Sequence, residues 1–206
     1  MSEVNESPAS MWDRRFAEHP WSVVPDVSLV ELVHPLVPGR AIDLGCGTGR
    51  NALWLARRGW EVTGVDGSKV GLTMARDQAA REGLRLTLVE ADLRSYTPAP
   101  SHFELVVIAN IHTEPSLRDD FFARAAAAVA PGGHLYLVGH HVDAFGLAGP
   151  PTRELLYSEE QFRDGIEGLT TLVLERREAL GDDGSADDVT LVLWAQRAGL
   201  ENGARA

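Results

Sequence analysis

Residues 40–58, RAIDLGCGTGRNALWLARR, constrain this chain more than any other stretch. A short apolar run, Ala41-Ile42, leads to Asp43 and Leu44, and glycines follow at alternate positions, Gly45, Gly47 and Gly49. A helical pattern comes next, with Ala52, Leu55 and Ala56 on one face, and Gly59 stands where a helix C-cap belongs. The stretch therefore reads strand, tight glycine turn, helix. Glycine suits such a turn because it accepts positive φ and lets another group approach the backbone closely. A ligand bound there would touch main chain rather than side chains. The spacing is G-x-G-x-G; the third glycine of the dinucleotide fingerprint G-x-G-x-x-G would fall on Arg50.

Two more units follow. Glu61 to Val65 reads as a buried strand ending at Asp66, with Ser68 as cap of the next helix and Gly83 as its end. One carboxylate at a strand end can accept hydrogen bonds from two adjacent ribose hydroxyls. Leu84 to Glu90 reads as a third strand, closed by Ala91-Asp92-Leu93. Ligands of open α/β sheets bind beyond the C-terminal strand ends, so Asp43, Asp66 and Asp92 are expected at one edge.

The run AIDLGCGTGRNALWLARRGWEVTGVDGS, followed by VEADL, resembles the class I S-adenosylmethionine-dependent methyltransferases. Within them it is similar to the small bacterial branch of tellurite-resistance-type and thiopurine-methyltransferase-like enzymes. The resemblance runs from about Trp12 to Arg197. It implies that Asp43, Gly45, Cys46, Gly47 and Gly49 cradle the methionine part of the cofactor, that Asp66 holds the ribose hydroxyls, and that Asp92 meets the adenine amino group. It implies further cofactor contacts from Gly67, Ala91, Leu93, Asn110 and Trp21. S-adenosylmethionine, leaving as S-adenosylhomocysteine, is the expected cofactor.

The remainder fits that fold. Residues 1–10 read as a disordered tail, 11–38 as a helical cap, 11–198 as a single methyltransferase domain and 199–206 as a second tail. Trp12, Phe16 and Trp21 crowd the cap, either as a hydrophobic strap on the sheet or as a lid over the ligands. Asp13 to Ala17 reads as a short helix stopped by Pro20, and Val27 to Val37 as another. Phe103 to Ala109 is a nearly unbroken apolar strand. Ser116 to Ala130 is a helix that Pro131-Gly132-Gly133 stops, and His134 to Gly139 is the fifth strand. Ser158 opens a capping box and another helix. Thr170–Ala179 and Val189–Arg197 form an antiparallel pair around the acidic connection GDDGSADD. The expected fold is α/β: a Rossmann-like three-layer sandwich on a seven-stranded, mostly parallel sheet with an antiparallel C-terminal strand.

Composition enters through charge. Nineteen basic residues against thirty acidic ones, net −11, argue against a nucleic-acid substrate, because phosphate backbones are met by clustered Lys and Arg. The single cysteine, Cys46, reads as a small buried residue of the turn. No signal peptide or membrane span is indicated, which points to the cytoplasm, without membrane partners and as a monomer or homodimer. No His, Cys and acid cluster has ligand spacing, so no metal is expected.

A sulfonium carries its own activated methyl group, so the protein contributes mainly alignment and exclusion of water. A base is needed only where the acceptor must lose a proton. After the fourth strand the sequence reads Asn110-Ile111-His112-Thr113, without the prolines and aromatic residue of amine-methylating relatives. His112 is the candidate base, and a packed loop histidine is the alternative. His140 and His141, adjacent on a strand, are expected to face opposite ways. Trp21, His112 and the His140–Tyr157 loop, with Phe145 and Arg153, are the expected acceptor pocket for a small molecule methylated on sulfur, oxygen or a related soft atom. A nucleotide- or nicotinamide-dependent oxidoreductase and a non-catalytic cofactor-binding protein are the alternatives.

Overall fold

The computed structural model describes residues 7–19, 21–180 and 186–200. Seven strands, β1 (Arg40–Leu44), β2 (Glu61–Asp66), β3 (Leu86–Glu90), β4 (Phe103–Ala109), β5 (Val129–His140), β6 (Thr170–Leu180) and β7 (Ala186–Gln196), are ordered β3-β2-β1-β4-β5-β7-β6 in one sheet. The chain divides into two compact units, Met1–Tyr96 and Thr97–Ala206.

In the first unit, β1 (Arg40–Leu44), β2 (Glu61–Asp66) and β3 (Leu86–Glu90) pair in parallel. Between them run α3 (Arg50–Arg57) and α4 (Lys69–Arg81). Ala41, Ile42, Leu55, Val65 and Ala75 are fully buried there. The expected punctuation is present: Ser68 accepts from the Gly71 amide as N-cap of α4, and Gly59 and Gly83 take positive φ just past the two helices. Before β1 lie α1 (Pro8–Glu18) and α2 (Val27–Val33). Asp26 caps α2 by accepting from the Ser28 and Leu29 amides. The helix α1 starts inside the stretch read as a tail: Ser7 accepts from Ser10 N, and Pro8 opens the first turn, where its missing N–H costs nothing.

In the second unit, β4 (Phe103–Ala109) and β5 (Val129–His140) are parallel, and α5 (Pro115–Ala128) connects them. The strands β6 (Thr170–Leu180) and β7 (Ala186–Gln196) are antiparallel to each other, and β7 is antiparallel to β5. The Rossmann-like α/β reading with an antiparallel C-terminal pair therefore holds.

Two sequence expectations need correction. Pro131-Gly132-Gly133 does not separate helix from strand, because β5 already begins at Val129, which pairs with Phe103. Gly132 takes φ +79 and donates to the Arg197 carbonyl, so the three residues form an irregular strand entry. The capping box at Ser158 is present, yet it opens only a 3₁₀ turn, Glu159–Phe162, with Phe162 and Ile166 buried as expected. Of the acidic connection, residues 181–185 lie outside the described residues and 186–188 begin β7. The second tail lies outside them from residue 201 on.

Candidate active site

The glycine turn sits between β1 and α3. Gly45, Gly47 and Gly49 all take the left-handed region, at φ +82, +52 and +87. The turn is braced from β2: the Gly45 and Cys46 amides donate to the Val65 carbonyl, and the Gly47 amide donates to Asp66 Oδ2 at 2.8 Å. Cys46 must be small because it fills the place where a Cβ on Gly64 would stand, 2.8 Å from its sulfur. Burial raises its thiol well above the usual range, with the Asp43 and Asp66 charges adding to it.

Asp43 is the most unusual group of this unit. It is 1% exposed, and neither carboxylate oxygen has a hydrogen-bond partner among the described residues. Burial pushes its pKa up to about 7; the Arg50 charge opposes that and the Asp66 charge reinforces it. A buried acid without a partner is costly. Asp66 is half-buried and accepts from two amides, Gly47 and Ser68, each at 2.8 Å. Each carboxylate oxygen keeps acceptor capacity for a hydroxyl. Ala91 donates to the Asp66 carbonyl, which ties the end of β3 to β2, and Gly67 lies against the Ala91 carbonyl. Leu93 is half-buried in the turn that follows. Asp92 lies outward: Arg94, two residues on, grips its carboxylate at 2.6–3.0 Å and holds its pKa below the ordinary value.

The N-terminal helix is built onto this turn, which sequence reasoning did not foresee in detail. Asp13 Oδ1 accepts from the Ser68 hydroxyl at 2.5 Å and from the Val70 amide at 3.0 Å, so it sits on the N-terminus of α4. The Phe16 ring lies where a Cβ on Gly47 or on Gly71 would stand, 3.0 Å away in each case. Trp12 and Trp21 pack on Phe16, with ring centroids 5.4 and 5.1 Å away, and Trp21 Nε1 donates to the Arg15 carbonyl. Trp21 remains 40% exposed. No local signal marked Asp13 as a cap, because its partners lie 55 and 57 residues further along.

The second unit gathers a different group at the C-terminal ends of β4 and β5. Asn110 closes β4 at φ +57, a conformation that asparagine tolerates better than most residues, and its amide donates to the Val138 carbonyl. Gly139 has no Cβ because the Tyr157 ring stands 2.5 Å from that position and His112 3.3 Å from it. Tyr157, read as a loop residue, is fully buried, stacks on His112 at 5.2 Å and donates its hydroxyl to the Ile111 carbonyl. Arg118 is 5% exposed; it donates to the Thr113 and Glu154 carbonyls, and its guanidinium lies 5.0 Å from the centre of the Tyr157 ring. Phe145 is exposed, with the Arg153 guanidinium 5.8 Å above its ring. His140 ends β5 and His141 lies beyond it, and the two have different partners: His141 pairs with Glu159 at 2.8 Å, while His140 Nδ1 meets His112 Nε2 at 2.9 Å.

His112 has both ring nitrogens engaged, Nδ1 at 3.0 Å from the Leu155 carbonyl and Nε2 with His140. Both ring nitrogens therefore have partners within the second unit. Burial lowers its pKa to about 4, partly opposed by the Leu155 carbonyl and helped by the His140 and Arg118 charges. A pKa below its unfolded value means that stability is full above about pH 6.5 and is lost as pH falls through about 4. We expect a contribution on the order of 2–3 kcal/mol to disappear over that window. Thermal unfolding of the parent should steepen there relative to His112→Gln; identical pH profiles would contradict a neutral, buried His112.

Residues 41–133 match the methyltransferase domain family. The match takes in somewhat less than half of the chain. Over 194 residues it is 27% identical to 2-heptyl-1-hydroxyquinolin-4(1H)-one methyltransferase of Mycobacteroides abscessus, covering 91% of this chain and 78% of that one. Over 113 residues it is 35% identical to ribosomal RNA small subunit methyltransferase C of Alcanivorax borkumensis, covering 50% and 33%. TehB from Haemophilus influenzae superposes with a TM-score of 0.71 at 15% identity, over 90% of this chain and 67% of TehB, a likeness of fold. Apart from the quinolinone enzyme, the chain spans about a third to a half of the length of the first curated relatives it matches. The matched stretch contains the whole glycine turn, Asp66 and Asp92. No helix among the described residues is long and apolar enough to cross a membrane.

Proposed function

We propose that this protein transfers a methyl group from S-adenosylmethionine to a small, partly apolar molecule, on oxygen, sulfur or a related soft atom. The observation that carries the cofactor half is the unpartnered, buried Asp43 carboxylate beside the glycine turn. An amino-acid ammonium would satisfy it. The backbone of Gly45, Cys46, Gly47 and Gly49 would take the rest of the methionine part, Asp66 the ribose hydroxyls, and Gly67, Ala91, Asp92, Leu93, Asn110 and Trp21 the remaining contacts. The bound cofactor supplies an electrophilic methyl group. This chain's residues hold, orient and shield it, and the aromatic cluster of Trp12, Phe16 and Trp21 would keep water out.

The acceptor half rests on extent of match. The quinolinone enzyme is similar over nearly the whole chain, whereas the ribosomal RNA enzyme is similar over half of it. The acidic balance of the chain agrees with a small-molecule acceptor.

Calorimetric titration with S-adenosylhomocysteine and transfer of labelled methyl to a 2-alkyl-1-hydroxyquinolin-4(1H)-one test the two halves. Asp66→Ala is expected to weaken the titrated affinity by on the order of 1–3 kcal/mol, since two hydroxyls lose their acceptor. Unchanged affinity would remove Asp66 from the cofactor site. Label accumulating on RNA and not on the small acceptor would overturn the acceptor reading.

A further inference from the structure

Arg118 is a buried cation with no carboxylate beside it among the described residues. It stands in the first turn of α5, 5% exposed, where the helix dipole already presents positive charge. Its Nη2 donates twice, to the Thr113 carbonyl at 3.1 Å and to the Glu154 carbonyl at 2.9 Å. The Tyr157 ring, 5.0 Å from the guanidinium, completes its side-chain partners among the described residues. Carbonyls and a ring supply no full counter-charge, and buried charges are ordinarily paired. The charge is felt nearby: it is among the causes that hold the His112 pKa down, and it opposes the burial that raises Tyr157.

Two donors at this place are orphaned. Arg118 Nε is buried without a hydrogen-bond partner, and so is the Thr113 hydroxyl. Nε can only donate, and a threonine hydroxyl can turn its hydrogen toward an acceptor. The two residues are already joined through the Thr113 carbonyl, so both orphans belong to one small region of the second unit. A water there would satisfy hydrogen bonds and leave the charge unbalanced. An anion does both. Because both atoms are closed to solvent, the ligand that fits them is a single small ion rather than an extended molecule.

We propose that the second unit binds a small inorganic anion, of chloride or bromide size, through Arg118 Nε and the Thr113 hydroxyl. The site lies wholly within that unit and stands independently of methyl transfer. The ion balances the guanidinium. Through Arg118 it also ties the segment that follows β4 to the 3₁₀ turn Arg153–Leu155, whose Glu154 carbonyl the same group holds. A ligand of the folded state stabilises it by an amount that grows with ligand concentration.

Thermal unfolding of the full chain in sodium bromide, against sodium gluconate at the same ionic strength, reads the site. Gluconate is too large for an enclosed single-ion site and serves as the control. Bromide in tenfold excess over its Kd should raise the parent's Tm by about 3–6 °C. Arg118→Met should lose that rise. Thr113→Val removes only the orphaned hydroxyl; it should be as stable as the parent in gluconate and bind bromide roughly 10- to 100-fold more weakly. Crystals of the parent grown in bromide should show an anomalous peak within hydrogen-bond distance of Arg118 Nε and Thr113 Oγ1.

No bromide-specific rise in the parent overturns the proposal and leaves water as the partner of the two donors. An equal rise in Arg118→Met, or parent affinity in Thr113→Val, overturns it as a general salt effect. Anomalous peaks only at other places overturn it as well. Should Arg118→Met fail to fold, Thr113→Val and the anomalous peak decide.

Discussion

Asp43→Asn is expected to make the ligand-free protein more stable at pH 8 and to weaken its grip on S-adenosylhomocysteine at the same time. In the parent, burial raises the Asp43 pKa to about 7. A carboxyl whose folded pKa lies above its unfolded value contributes stability that is present below about pH 4 and lost as pH rises through about 7. At pH 8 the ligand-free fold must hold a buried anion. Asparagine removes the charge but keeps a polar amide to bury, so the gain should be about 1–3 kcal/mol. It should shrink to nothing near pH 4, which thermal unfolding at the two pH values can read. The opposite sign is expected for binding. An amino-acid ammonium that meets a neutral amide instead of a carboxylate should lose on the order of 2–4 kcal/mol, roughly 30- to 1,000-fold in affinity. Titration of both proteins at pH 8 decides it, and equal affinities would mean that the ammonium lies elsewhere. Binding should also release protons near pH 7, because a cation draws the Asp43 pKa down; calorimetry in buffers of different ionisation enthalpy measures that release.

Gly47→Val should remove cofactor binding altogether while most of the fold survives. Two effects combine. Gly47 sits at φ +52, which a β-branched residue resists by on the order of 1–3 kcal/mol. Its new Cβ would also stand 3.0 Å from the Phe16 ring, so either the turn or α1 must shift. Gly83→Ala is the control: φ there is +66, yet nothing lies within 4 Å of the added carbon. That variant should lose a little stability and no affinity. A folded Gly47→Val protein that titrates like the parent would refute a backbone cradle.

The first unit was legible because its signals are local. Alternating glycines, a capping serine and an acid at each strand end all lie within a few residues of the structure they specify. The second unit yielded less, because its decisive contacts are distant in sequence. Pro131-Gly132-Gly133 has the composition of a helix stop, and contacts with residues 196–198, more than sixty residues on, make it part of a strand. Tyr157 reads as loop surface until Gly139 is seen to leave room for its ring. Arg118 lies one position beside the apolar stripe of its helix, and nothing nearby announces that carbonyls of Thr113 and Glu154 would bury it. His112 was singled out as a candidate base for its chemistry, but a residue type cannot reveal that both of its nitrogens have partners.

The seating of α1 on the glycine turn has a thermodynamic corollary. Phe16 and Asp13 touch the same backbone that would receive the cofactor, so docking of that helix and occupancy of the turn share one free-energy surface. Linkage then requires reciprocity. If a bound thioether tightens the helix against the turn by some factor, any change that loosens the helix must weaken the thioether by the same factor. Phe16→Ala would thus register in a binding isotherm, and hydrogen exchange in residues 8–18 would register the cofactor in return.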